Sequence, residues 1–188
     1  MLTARRTYEM LENQSLWKTA AHVHELLTQE SLPHAIVGGV AVCLHGYRRN
    51  TVDLDLLVNP SDSPLLRIAL ETGGYAFDVA AREFTSASGV AVQFVMAGDR
   101  EGPGQEAVFP DPADPYAVML IEDLPVLTLA QLIQSKLACG LGSLRRTHKD
   151  FADVVELIAI HDLGQSFAKN LHRSVRAEFK ALMRHALG

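Results

Sequence analysis

The sequence predicts an α+β fold: a small mixed β-sheet flanked by helices, with a helical C-terminal third. Two observations carry this. Through the first two-thirds, short apolar runs bounded by turn residues alternate with stretches whose apolar side chains recur at helical spacing. From Thr128 onward only the helical spacing remains. The 188 residues suffice for one well-buried body, and 48% hydrophobic with 21% charged residues is ordinary for a globular protein. Residues 1–127 are therefore expected to form the sheet-containing core with an N-terminal helix, and residues 128–188 a helical region packed on it.

The elements follow in order. From Tyr8 to Gln29, Leu11, Leu16, Ala20, Val23, Leu26 and Leu27 fall at helical spacing, and Pro33 ends that helix. Ala35–Val37 reads as a short buried strand, Val40–Leu44 as a short helix opened by Gly38-Gly39, and Val52–Val58 as a second strand. Asn59-Pro60-Ser61 stops that strand and offers a helix N-cap, so Leu65–Thr72 forms a helix closed by Gly73-Gly74. Tyr75–Val79 and Val90–Val95 read as strands, the second clearly alternating. Gly98–Pro115, rich in Gly, Pro and Asp, reads as an irregular surface loop. Val118–Ile121 is a further strand. Thr128 then caps a helix to about Leu141, and helices follow at Lys149–Ile160 and Ser166–Leu187.

Composition excludes some function classes. A net charge of −5 argues against a basic surface that wraps nucleic acid, while leaving room for local basic patches. Cys43 and Cys139 fall on helical segments and read as buried thiols rather than a disulfide. The opening MLTARRTYEMLENQ has no apolar run after its basic residues, and no apolar stretch nears the ~18 residues that span a bilayer. A cytoplasmic protein without membrane contact is expected.

The chemistry concentrates between His34 and Val58, HAIVGGVAVCLHGYRRNTVDLDLLV. Alternation along a strand puts Asp53 and Asp55 on one face and Leu54 and Leu56 on the other. Two carboxylates that close repel each other, and a divalent cation with a preference for oxygen ligands, such as magnesium, relieves the repulsion. Gly38 and Gly39 let backbone amides approach a phosphate where a helix begins. A phosphate cradle beside a carboxylate pair is equipment for nucleotide chemistry. The histidines carry less: His22 and His24, two apart on a helix, do not chelate together, and His161-Asp162 reads as a helix end before the turn at Gly164.

This order and spacing resembles the nucleotidyltransferase superfamily, whose signature is Gly-Gly or Gly-Ser followed by Asp-x-Asp. The closer resemblance is to the AbiE-type toxin nucleotidyltransferases, whose first motif is matched by Gly38, Gly39, Ala41, His45, Gly46, Arg49, Thr51, Asp53 and Asp55. Their later motifs are similar to Lys136, Arg145-Arg146 and Lys149-Asp150-Phe151-Ala152-Asp153. The resemblance implies a nucleotidyltransferase-like mixed sheet and a metal-dependent enzyme moving a nucleoside monophosphate from an NTP to an RNA or protein acceptor. A tRNA end is one such acceptor, and an antitoxin would be a partner. It also implies Asp53 and Asp55 as catalytic magnesium ligands, and Gly38, Gly39, Arg49 and Thr51 as nucleotide contacts. Lys136 would contact phosphate or acceptor, and Asp150 would orient that lysine or assist the acceptor; the plainer reading of the pair is a salt bridge between helices.

One departure shapes the alternative reading. The family's third carboxylate comes from a neighbouring strand, and the matching position here is Gln93, which offers a neutral oxygen and no charge. Asp78, Glu83 and Asp99 are candidates to substitute. Failing that, the chain would be a nucleotide-binding or partner-binding module of the same fold with impaired catalysis.

Overall fold

A computed structural model describes residues 3–186. They form seven α-helices around one seven-stranded mixed sheet. The helices are α1 (Ala4–Met10), α2 (Gln14–Gln29), α3 (Gly38–Leu44), α4 (Ser63–Thr72), α5 (Leu129–Gly142), α6 (Leu144–Ile160) and α7 (Arg176–Ala186). The strands are β1 (His34–Val37), β2 (Asp53–Val58), β3 (Ala76–Asp78), β4 (Glu83–Thr85), β5 (Ala91–Met96), β6 (Val118–Ile121) and β7 (Leu124–Leu127), in the spatial order β3-β4-β5-β2-β1-β7-β6. β1 runs antiparallel to β2, while β2–β5 and β1–β7 are parallel pairs. The α+β expectation holds.

The centre of the sheet follows from composition. All four residues of β1 and all four of β7 are buried, as suits strands covered on both faces. In β2, Leu54 and Leu56 enter the core with Leu16, Val23 and Leu27 of α2 and Leu66 and Leu70 of α4, while Asp53 and Asp55 remain half-buried. Among the described residues no helix is long and apolar enough to cross a membrane.

The structure corrects four expectations. The first helix is two, broken at Leu11–Asn13: Glu12 takes a left-handed conformation, and the Asn13 amide leaves helical geometry to donate to the Thr51 carbonyl at 2.7 Å. The C-terminal helix is also broken. Short 3₁₀ turns at Gln165–Asn170 and Arg173–Val175 precede α7, because Leu171 turns extended into the core and the His172 N–H donates to Gln134 Oε1 at 2.6 Å; the expected final residue, Leu187, lies outside the described residues. Strands β4 and β7 were not expected, the first because it has three residues, the second because Pro125 interrupts its pattern. Finally, the segment between Gly98 and Pro115 does not stay on the surface. Glu101 and Ala107 are buried, and Gly102 fits so closely against α5 that a Cβ there would overlap the Ala138 carbonyl.

Candidate active site

The β1–β2 register places Asp55 across from Val37, immediately before the Gly38-Gly39 pair. Gly38 has φ +63°, a left-handed conformation that favours glycine, and a Cβ there would overlap the Asp55 carboxylate. Gly39 is packed on the Thr51 side chain, whose hydroxyl donates to Asp53 Oδ1 at 2.8 Å. Thus Gly38, Gly39, Thr51, Asp53 and Asp55 form one cluster, with Thr51 orienting a carboxylate. α3 begins at Gly38 without a side-chain cap, so no side chain takes the first amides.

A cavity of about 290 Å³ opens over this cluster, lined by Gly39, Asp53, Asp55, Gln93, Lys136, Arg145, Arg146 and Lys149. One wall is carboxylate and the other cationic. Burial pushes the Asp55 carboxyl above the usual carboxylate range, and neighbouring Asp53 adds to the effect; Lys136, Arg146 and Lys149 oppose it. Among the described residues neither Asp53 nor Asp55 has an ion-pair partner within 4.0 Å. Two crowded carboxylates with no cation paired to them are a donor set that suits a divalent cation.

Behind the cavity, α5 and α6 pack through charged groups. Lys136 Nζ lies 3.0 Å from Asp150 Oδ1 and 2.9 Å from Asp153 Oδ2. Arg146 Nε reaches Asp150 Oδ2 at 3.1 Å, and Arg49 holds both oxygens of Asp153 at 2.6 and 2.9 Å. The spacing Arg146, Asp150, Asp153 puts all three on one face of α6. The salt-bridge reading of Lys136 and Asp150 is therefore realised, and Lys136 lines the cavity as well. Asp150 is wholly enclosed, with one oxygen on Lys136 and the other on Arg146. Arg49, spent on Asp153, ties the turn before β2 to α6 and does not line the cavity. His45 is buried with Nε2 against the Leu127 carbonyl at 2.8 Å.

No family profile matches the chain, and no curated protein matches it. Solved structures do. ANT(2'')-Ia in complex with adenylyl-2''-tobramycin superposes with a TM-score of 0.54 at 14% identity, over 87% of this chain and 96% of that one. A Helicobacter pylori protein provisionally assigned as a nucleotidyltransferase gives 0.54 at 16%, over 92% and 79%. Thermotoga maritima TM1012, with the same provisional assignment, gives 0.50 at 15%, over 71% and 88%. The fold is that of the nucleotidyltransferases. In this nucleotidyltransferase fold the strand beside the carboxylate pair is β5, and Gln93 stands across from Asp55 in the parallel register.

Among the described residues no group of three or more His, Cys, Asp or Glu side chains is placed to hold a metal ion. Asp53 and Asp55 are thus a pair without a third carboxylate. Sequence reasoning missed the bidentate Arg49–Asp153 clamp and the partner of Gln93, Glu83, which accepts from its Nε2 at 2.7 Å. The signals were faint: charged residues at helical spacing on α6 for the first, a three-residue strand for the second.

The packing of Gly38 makes a prediction. Gly38→Ala should cost about 1–2 kcal/mol for the left-handed backbone and should displace Asp55, so that a ligand held by this carboxylate is lost. Gly74→Ala is the control. It shares a positive φ, +88°, but a Cβ there meets nothing within 4 Å, so it should lose stability and keep binding. Urea unfolding and nucleotide titration of both variants check this; normal nucleotide binding by Gly38→Ala would contradict the assigned contact.

Proposed function

We propose that this protein is a nucleotidyltransferase that moves a nucleoside monophosphate from an NTP to an RNA or protein acceptor. The observation that carries the reading is the Asp53–Asp55 pair beside Gly38-Gly39, facing a cationic wall across one cavity. Asp53 and Asp55 would hold magnesium, which when bound stabilises charge on the transferring phosphoryl group. Thr51 keeps the Asp53 carboxylate turned into the cleft. Gly38 and Gly39 admit phosphate close to the backbone, and Lys136, Arg146 and Lys149 neutralise the remaining phosphate charge. Asp150 holds Lys136 and Arg146 in place from behind, and Asp153 also holds Lys136. The ANT(2'')-Ia complex with an adenylylated ligand supports nucleotidyl transfer as a use of this fold. The motif resemblance to AbiE-type toxins supports a tRNA end or protein side chain as acceptor and a role as the toxin of a toxin–antitoxin pair with an antitoxin partner.

A second reading is favoured by Gln93. With only two carboxylates, the protein would bind NTP and magnesium but transfer slowly, acting as a nucleotide-dependent binding module. Calorimetric titration with magnesium and NTP, followed by label transfer to RNA and protein acceptors, separates the two. Asp53→Asn should weaken metal-dependent NTP binding by at least about tenfold while leaving the fold as stable or slightly more so, because one of two repelling charges is gone. Gln93→Asp should tighten metal binding by replacing a neutral oxygen with a charged one. Unchanged binding in Asp53→Asn would remove the basis of both readings.

A further inference from the structure

Strand β5 lies between β2 and β4. On one side its Gln93 stands across from Asp55. On the other, the antiparallel register that pairs Phe84 with Val92 and Thr85 with Ala91 brings Glu83 beside Gln93. Gln93 Nε2 donates to Glu83 Oε2 at 2.7 Å. An amide carries its oxygen and nitrogen on separate arms of one plane. Anchoring the nitrogen on Glu83 therefore leaves Oε1 on the arm away from Glu83, and β2 is the neighbour on the other side of β5. That is the side of the Asp53–Asp55 cavity, whose wall Gln93 helps to form. An unanchored amide could present its NH₂ group there instead, and a donor repels a cation. A carboxylate only accepts, so Glu83 selects the nitrogen; a glutamine in its place would not.

We propose that Glu83 is a positioning residue that acts through Gln93, fixing the Gln93 carbonyl oxygen toward Asp53 and Asp55. The cleft then offers a divalent cation two carboxylates and one neutral oxygen. The proposal rests on the metal-dependent reading of the cleft given above. Glu83 does not itself join the site, since adjacent strands are ~4.8 Å apart and it stands two spacings from Asp55.

The test uses manganese alone, without nucleotide, titrated into the full chain and followed by electron paramagnetic resonance of the free ion. Glu83→Gln should weaken manganese binding about three- to tenfold, the effect of one misdirected oxygen. In the Gln93→Leu background the same substitution should weaken binding clearly less, leaving only the effect of the lost charge. Loss of the distant Glu83 charge acts equally in both backgrounds and cancels in the comparison. A second readout needs no metal: the Gln93 side-chain NH₂ resonances, shifted by a charge-assisted hydrogen bond in the wild-type protein, should return toward solvent values in Glu83→Gln. Equal effects in both backgrounds, or unmoved Gln93 resonances, would overturn the role of Glu83 while leaving the metal site standing. A wild-type protein that binds no manganese would overturn both.

Discussion

Lys136→Met should lower the unfolding free energy by about 3–5 kcal/mol, the cost of breaking a buried ion pair from one side. Lys136, Asp150 and Asp153 have side chains only 5%, 0% and 2% exposed, so water does not replace the lost ammonium. The two aspartates do not suffer equally. Asp153 keeps both oxygens on Arg49, whereas Asp150 keeps only Arg146, whose side chain is 57% exposed, and its Oδ1 loses its sole partner. A second substitution separates these roles. Asp150→Asn in the Lys136→Met background should recover part of the loss, while Asp153→Asn should add to it by stranding Arg49. Urea unfolding of the four proteins is the measurement. A loss below about 1 kcal/mol for Lys136→Met, the range of solvent-screened pairs, would show that the network is not sealed from water.

Glu101→Gln should stabilise the protein, and increasingly so as pH rises. Glu101 is 1% exposed, and among the described residues neither carboxylate oxygen has a hydrogen-bond partner of good geometry. Burial pushes its carboxyl from 4.5 up to about 8, with the neighbouring Gln134 side chain opposing the rise. A raised carboxyl binds its proton more tightly folded than unfolded. Its contribution is therefore intact below about 4.5 and lost as pH rises toward about 8. The advantage of Glu101→Gln should be small near pH 4.5, grow through that window, and level off above it. It can reach about 5 kcal/mol at most, and less if residues near Glu101 open to water. His34 and His45, lowered mainly by burial, act in the opposite sense, since their contribution is lost as pH falls. Comparing the two proteins at each pH cancels that effect. Thermal unfolding of both between pH 4 and pH 9 checks the prediction; a constant difference would mean that Glu101 already has a partner in solution.

The sequence by itself determined the parts of this protein that depend on short-range pattern. Alternation in DLDLLV put Asp53 and Asp55 on one face, and that requires no knowledge of the neighbouring strands. Gly38-Gly39 between two apolar strands marked the turn that meets them, and the helical spacing from Thr128 onward gave the C-terminal third. The tertiary structure decided whatever depends on partners far apart in the chain. The family resemblance implies Arg49 as a nucleotide contact, whereas the fold pairs it with Asp153, more than a hundred residues away. Glu83 sits on a strand of three residues whose pattern is too short to stand out, and only the order β4-β5-β2 sets it beside Gln93. Glu101 lies in a stretch rich in Gly, Pro and Asp, the composition of a surface loop, yet α5 offers it a closed slot. Local periodicity fixes which way a side chain leaves the backbone; what it then meets is set by the packing of the whole chain.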